Sequence, residues 1–425
     1  LAEIKNIYFI GIAGSGMSGL ALMAQAEGFN VAGSDQQSSL YLQAVLAAGI
    51  PVTLEQKTAN ILERDIDVVV VSAAIKEDNP ELACARQRGL PIWPRARMLA
   101  WLGRDKRTWA VAGTHGKTTT SSMLASTLAN LGADPSWLVG GVLVEYEATA
   151  RLGQGPDYVI EADESDESFT QLRPYWMIIT NIEPDHLDHY PDLAAIDQAF
   201  AAFLATLEPN GRVIYCREDA GLTQLVAESG QPAISYGFRA DADYRAEPLD
   251  QGFLVHGPAG LRLPLQIPAA PGLHNILNAT AVVASLMEAG FEPSAIARAL
   301  AAFQGVHRRF ELIGEAGGVQ VADDYGHHPT EIKATLAAAR RMGYRRIHLL
   351  FQPHRYTRTQ QLFPDFVNTF DDVDSLVLLD IYPAGEAAIP GVNSQKLLAA
   401  IQAAHPGLST ESALDWEAVP ALLAG

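Results

Sequence analysis

The 425-residue sequence predicts an α/β protein of three domains, carried mostly on parallel sheets. Three observations predict it. Short apolar runs of strand length alternate with helical periods, and the loops that follow many of these runs are rich in glycine, acids or histidine. Two breaks interrupt the alternation, one at the charged turn 103–107 and one near Gly305. They divide the chain at 1–105, 106–305 and 306–425.

In the first part, 4–10 is an apolar strand, Gly11-Ile12-Ala13-Gly14-Ser15-Gly16 follows, and 17–26 has a helical period. A second strand, 31–35, ends in Asp35, where an acid can meet a ribose hydroxyl, so the unit is Rossmann-like. The glycine spacing is G-x-x-G-x-G rather than G-x-G-x-x-G, which supports a dinucleotide only weakly; a tight β–α turn without ligand is the alternative. Residues 68–71 form another buried strand, with Ser72 opening a polar loop at the edge where ligands collect. Gly11, Gly14, Ser15, Gly16, Met17, Asp35 and Ser72 are the candidate contacts here.

In the second part a strand at 107–112, a glycine turn and a helix opening on Gly116-Lys117-Thr118 have the layout of a phosphate-binding loop. Gly113 and Gly116 let the backbone wrap an anion with its N–H groups, across Thr114 and His115, and the helix terminus adds its dipole. Lys117 brings a point charge to the outer phosphates, and Thr118, followed by Thr119, brings a hydroxyl to a magnesium ion. Val111 stands where the usual pattern has its first glycine. A nucleoside triphosphate is the expected ligand. Strands at 158–161 and 176–181 then run into acidic loops carrying Glu161 and His186, which at that sheet edge can hold magnesium; either loop alone would read as a solvated charge run. Residues 210–265 read as short β segments. His274, Asn275 and Asn278 line the first turn of the next helix, facing a ligand or capping it.

The third part repeats strand, polar loop and helix. Strands at 319–322, 345–351 and 375–380 end at loops bearing Asp324, Tyr325 and His327, then His354, Arg355 and Arg358, then Glu386. Three residues apart, Arg355 and Arg358 share one face in a helical turn and can clamp carboxylates; plain surface arginines are the alternative.

Composition narrows the partners. Against 30 basic residues stand 49 acidic ones, a net charge of −19, which argues against nucleic acid and anionic membranes. Phosphates must therefore bind through local positive features. No apolar run reaches membrane-spanning length, the start resembles no signal peptide, and Cys84 and Cys216 have no metal spacing, so a reducing, cytoplasmic setting is expected.

Taken jointly, 11–21, 112–120, 161–169, 180–190, 274–279, 305–311, 323–332 and 351–359 resemble, in order and over nearly the whole chain, the Mur ligases. These are ATP-dependent amide-forming enzymes of peptidoglycan assembly, and the resemblance is to their alanine-adding branch. It implies an N-terminal UDP-sugar domain, a central P-loop ATPase and a Rossmann-like C-terminal amino-acid domain. ATP and Mg2+ would be required, with UDP-N-acetylmuramate and L-alanine as substrates. Lys117 would meet the β- and γ-phosphates, Thr118 and Glu161 one magnesium, and His186 a second shared with Glu161. His274, Asn275 and Asn278 would hold adenosine, with Arg309 and Asp324 beside the nucleotide. Tyr325, His327, His354, Arg355 and Arg358 would contact the amino acid and the acceptor carboxylate, His327 helping to deprotonate the amine. The 11–16 turn would hold uridine diphosphate, not NAD.

Relatives that add later residues carry a carbamylated lysine near the second metal, and 197–201 offers none. The family's last glycine-containing strand–loop is expected beyond 421–425, so the sequence reads as truncated there. Hinges are expected near 105 and 305, and the assembly as monomer or homodimer. A murein tripeptide recycling ligase and a non-catalytic UDP-sugar sensor are the competing expectations.

Overall fold

The computed structural model describes residues 4–37, 39–165, 168–184, 190–413, 417, 419 and 422. They fall into two compact units, 1–268 with 277–307, and 269–276 with 308–425.

The first unit opens with β1 (Asn6–Ile10), α1 (Ser15–Ala26), β2 (Asn30–Ser34), α2 (Leu40–Ala47), β3 (Val52–Thr53), α3 (Ala59–Leu62), β4 (Val68–Val71), α4 (Pro80–Gln87), β5 (Ile92–Pro94) and α5 (Arg95–Leu102). The strands pair in parallel in the order β3-β2-β1-β4-β5. β1 and β4 are nearly all apolar because both of their faces are buried. The order reverses between them, and the loops after β1 and β4 flank the crevice where such sheets take ligands.

The second sheet is built from β6 (Arg107–Ala112), α6 (Lys117–Asn130), β7 (Ser136–Leu143), β8 (Ala148–Arg151), β9 (Asp157–Glu161), β10 (Trp176–Ile179), α7 (Leu193–Leu204), β11 (Arg212–Cys216), α8 (Ala220–Ser229), β12 (Ala233–Gly237), β13 (Tyr244–Pro248), β14 (Phe253–Gly257) and β15 (Leu261–Leu265). Its order is β15-β14-β13-β12-β11-β10-β6-β9-β7-β8, parallel from β13 through β7 and antiparallel at both margins. β6 lies inside, between β10 and β9. Trp109 of β6 stacks on Trp176 of β10 at 5.0 Å, and its indole N–H donates to the buried Asp157 carboxylate at 2.7 Å. Arg107 donates to the same oxygen, so the buried charge is paired. α6 begins at Lys117, where the Gly116-Lys117-Thr118 layout puts the helix start.

One apolar core runs through both sheets, joining Phe9, Met17 and Leu99 to Ala110, Ile160 and Met177. Gly19 allows this contact, since a Cβ there would come within 3.1 Å of Leu138 and Ala150. At Gly103 a Cβ would sit 2.3 Å from the Tyr158 ring. The charged turn near 105, where a hinge is expected, rims this shared core.

Next come α9 (Leu273–Glu288) and α10 (Pro293–Ala301). Beyond them 304–307 is stitched to the end of β7. Val306 bridges Leu143 in antiparallel fashion, Val144 N–H donates to Gly305 C=O, and His307 N–H donates to Val142 C=O.

The second unit holds the antiparallel hairpin β16 (Glu311–Ala316) and β17 (Val319–Asp323), then α11 (Pro329–Arg341), β18 (His348–Phe351), α12 (Tyr356–Gln361), α13 (Phe363–Val367), β19 (Ser375–Leu379), α14 (Ser394–Ala404) and β20 (Ser409–Ala413). β18, β19 and β20 form a parallel sheet over a core of Leu336, Phe351, Phe366, Leu376 and Ile401. The strand expected from 345 starts at His348, because Arg345 and Arg346 are exposed.

Candidate active site

The centre of the first unit is the turn between β6 and α6. Gly113 and Gly116 take φ of +127° and +84°, values that favour glycine. A Cβ at Gly113 would lie 2.2 Å from Thr180 Oγ1, and one at Gly116 would lie 2.7 Å from Asn278 Oδ1. The turn is therefore clasped from β10's loop on one side and from α9 on the other. Thr114 N–H donates to Asn181 C=O and His115 N–H to Asn181 Oδ1, while Thr180 Oγ1 donates to His115 C=O at 2.6 Å. The His115 ring lies 3.5 Å from Glu183. Thr119 follows in the first turn of α6.

Lys117 folds back over this loop. Its ammonium donates to Gly113 C=O and Glu164 Oε1, both at 2.7 Å. Burial opposes its charge, but Glu164, Asp163 and Glu161 outweigh that and hold the ammonium above the usual lysine range. Thr118 Oγ1 donates to Glu161 Oε1 at 3.1 Å, and Glu161 Oε2 accepts from Gly140 N–H at 2.8 Å. A hydroxyl and a carboxylate oxygen in contact at the mouth of a phosphate loop form a hard-oxygen pair suited to magnesium. His186 lies outside the described residues.

Around the first glycine turn, Gly11 has φ +84° and a Cβ there would lie 3.0 Å from the Ser72 Cβ, so the loops after β1 and β4 meet. Gly14 caps α1 without a side-chain bond, Ser15 is exposed at its start, and Gly16 faces Arg95. Asp35 Oδ2 accepts from Ala13 N–H and its Oδ1 from Gln36 and Gln37 N–H, so the carboxylate shapes the turn. The Met17 side chain is buried in the core, so the residue meets the turn through its backbone, whose N–H donates to Gly14 C=O.

The acidic loop after β9 is expected from the sequence, though Asp163 and Glu164 are given no separate roles there; Arg95, Thr180, Asn181 and Gly140 are not singled out. Arg95 has no local signal. Its Nη2 lies 3.7 Å from Asp163 Oδ2, and despite burial Lys117 and Arg95 hold the Asp163 carboxyl below its usual range.

In the second unit, Asn275 donates to Pro271 C=O at 2.8 Å, and burial lowers His274 below the usual histidine range against the pull of Asp324 and Glu331. Asp324 accepts from Phe310 and Gly326 N–H, bracing the loop that carries Tyr325. The guanidinium of Arg309 lies 5.6 Å from the Tyr325 ring centre and 4.0 Å from Glu331. His327 Nδ1 contacts Tyr325 C=O at 3.0 Å. A carbonyl only accepts, so Nδ1 carries the hydrogen and Nε2 the lone pair of the neutral ring. His354 lies 5.9 Å from His327 and stacks on Tyr382. Burial, then His327, Arg358 and Arg355, bring its pKa down to about 4, and its Nδ1 accepts from Arg358 at 3.4 Å.

The shared helical face expected for the two arginines is not formed. Arg355 stands outside α12 at φ +71° and leans toward Glu386 at 3.9 Å, while Arg358 turns to His354.

Sequence profiles match along the chain: Mur ligase family, catalytic domain, over 6–107; Mur ligase middle domain over 111–286; and Mur ligase, glutamate ligase domain, over 308–424. A UDP-N-acetylmuramate–L-alanine ligase of Solidesulfovibrio magneticus is 45% identical over 399 residues, 93% of this chain and 87% of that one. The crystal structure of the UDP-N-acetylmuramate-alanine ligase of Thermotoga maritima superposes with a TM-score of 0.81 at 29% identity, covering 99% of this chain and 93% of the other. A murein peptide ligase of Psychrobacter arcticus gives 0.72 at 26%, over 99% and 92%. A glycine turn clasped between β10's loop and α9, with Lys117 folded over it, and matches of this extent lead to one conclusion: the chain belongs to the Mur ligase family, with its three-domain α/β fold.

Proposed function

We infer that this chain is an ATP-dependent ligase joining L-alanine to the lactyl carboxylate of UDP-N-acetylmuramate. One observation carries the chemistry: Lys117 and the Thr118–Glu161 pair converge at the mouth of the β6–α6 turn. The 45% identity to an alanine ligase supports the substrate pair.

A carboxylate is a poor electrophile toward an amine in water. Passing the γ-phosphoryl group of ATP, a co-substrate, to the lactyl oxygen releases ADP and leaves an acyl phosphate. Attack by the alanine nitrogen on the acyl carbon then expels phosphate, and the nitrogen's extra proton leaves. The first step crowds anions together, so charge neutralisation dominates. Lys117 and the N–H groups of the glycine turn supply part of it, in a protein of net charge −19. Thr118 and Glu161 would hold magnesium, which supplies the remaining positive charge when bound. The second step is mainly positioning. The Nε2 lone pair of His327 suits it to accept the amine proton, and Arg358 and Arg355 suit carboxylates.

Asn278, set against Gly116, belongs to the nucleotide pocket in this reading, together with His274 and Asn275. The domain limits 1–105, 106–305 and 306–425 go with it. Among the described residues no helix is long and apolar enough to cross a membrane, and the buried free Cys84 and Cys216 support a reducing cytoplasm.

The test is phosphate release from ATP with UDP-N-acetylmuramate and either L-alanine or murein tripeptide. Release only with sugar nucleotide and L-alanine together is expected. Release with the tripeptide alone would move the chain to recycling, and none with either, while both nucleotides bind, would leave a sensor.

A further inference from the structure

Arg95 opens α5 in the first sheet's domain, and its guanidinium lies between the first glycine turn and the acidic loop after β9. On one side is Gly16, in the first turn of α1, where a Cβ would stand 3.0 Å from Arg95 Nη1. On the other is Asp163, 3.7 Å from Nη2, in the loop after β9. The next residue, Glu164, holds Lys117 at 2.7 Å. Different nitrogens thus face the sugar-nucleotide turn and the acidic loop of the phosphate site. The side chain is largely enclosed, 22% exposed, so its charge acts at short range with little screening.

We propose that Arg95 is a positioning residue that couples the two nucleotide sites, holding the diphosphate of the UDP-sugar through Nη1 and the Asp163 carboxylate through Nη2. The inference rests on the ligase reading above and adds a residue and an interaction to it. Its physical basis is charge balance. Glu161, Asp163 and Glu164 crowd the loop that must accept a triphosphate, and a phosphate drawing Lys117 away takes a cation from all three. A guanidinium pinned beside Asp163 offsets one of these carboxylates. Arg95 is pinned best when a diphosphate occupies its other side, because the planar fork then has partners at both ends. Bound UDP-sugar should therefore tighten binding of the triphosphate, and by reciprocity the triphosphate should tighten binding of the sugar nucleotide.

Arg95→Ala and Arg95→Lys test this. The dissociation constant of a non-hydrolysable ATP analogue is measured by titration calorimetry with and without saturating UDP-N-acetylmuramate, and KM is measured for each substrate. In the unaltered protein the sugar nucleotide should lower the analogue's constant at least about fivefold, the lower end of ordinary site coupling. In Arg95→Ala the analogue alone should bind somewhat more weakly, because Asp163 loses its counter-charge, the enhancement by sugar nucleotide should vanish, and KM for the sugar nucleotide should rise about tenfold with little change for L-alanine. Arg95→Lys, which keeps the charge but not the fork, should restore sugar-nucleotide binding more than coupling.

Unchanged coupling and unchanged sugar-nucleotide KM in both variants would overturn the proposal. Equal losses for all three substrates would also overturn it, by showing a merely structural role. If the unaltered protein binds neither nucleotide, the ligase reading fails instead, so the two failures are separable.

Discussion

Lys117→Ala carries the sharpest test, because the structure gives this lysine two separate duties. The ammonium lies 2.7 Å from Glu164, and the two side chains are 12% and 3% exposed. At an effective dielectric near 20 that separation corresponds to roughly 6 kcal/mol of gross attraction. Removing one partner of such a pair costs about 3–5 kcal/mol, since it leaves a buried charge behind. The catalytic duty is separate: losing one stabiliser of developing charge costs about 100- to 1000-fold in kcat. Lys117→Ala should show both losses. Adding Glu164→Gln removes the orphaned charge, so the double variant should regain most of the stability and none of the rate. Stability is read from urea titration of tryptophan fluorescence, to which the buried Trp109 of β6 and Trp176 of β10 contribute, and rate from phosphate release with all substrates saturating. A single variant turning over within tenfold of the unaltered protein would refute the phosphate-loop assignment. A double variant no more stable than the single would refute the buried pair.

Further outcomes follow from the same geometry. Gly113→Ala should lose nucleotide binding and melt lower, since its Cβ would stand 2.2 Å from Thr180 Oγ1 at φ +127°; the backbone alone accounts for about 1–3 kcal/mol, and a normal melting curve with normal turnover would count against the clasp. Glu161→Gln keeps the bond from Gly140 N–H through its one carbonyl oxygen, turns its amide N–H toward Thr118 Oγ1 and loses the charge, so the magnesium needed for half-maximal rate should rise at least about tenfold; an unshifted magnesium curve would remove Glu161 from the metal site. Arg358→Ala should raise KM for L-alanine or the sugar nucleotide with ATP affinity intact, and a loss confined to ATP would show the domains misassigned. His354, at about 4 in the fold against an ordinary 6.5, takes its proton first in the unfolded chain. Its contribution to stability is complete above pH 6.5 and is lost progressively as pH falls toward 4, with a slope of at most about 1.4 kcal/mol per pH unit. His354→Asn should flatten that part of the urea-midpoint profile, and an unchanged slope would refute the assignment.

The strand, glycine turn and helix of β6 and α6 were legible in the sequence because their geometry leaves few choices. Two positive-φ turns need glycine, and the lysine and threonine must follow at once on the helix. The acidic loops were legible for a related reason, since charge placed directly after a buried strand has one sheet edge to go to. What the sequence hid depends on contacts between distant segments. Arg95 sits at an ordinary helix start, and its approach to Asp163 joins segments far apart in the chain. That the N–H groups of Ala13, Gln36 and Gln37 reach Asp35 depends on how the turn folds, which its position after a strand does not give. The shared face read for Arg355 and Arg358 assumed a helical turn where Arg355 adopts φ +71°. The charges of the break near 105 were plain in the sequence; the glycine that lets Tyr158 pack beneath it carries no such signal.

The strip at 304–307 bears on how such a chain could be recombined. It is paired with the strand whose Gly140 N–H holds Glu161, and Glu145 and Glu147 grip it further through Gln304 N–H and the His307 ring. A graft exchanging the second unit for that of a relative should therefore be spliced after His307. A junction a few residues earlier would strip an edge from β7 and loosen the Glu161 carboxylate, so a chimera made there would lose turnover for reasons unrelated to the incoming unit.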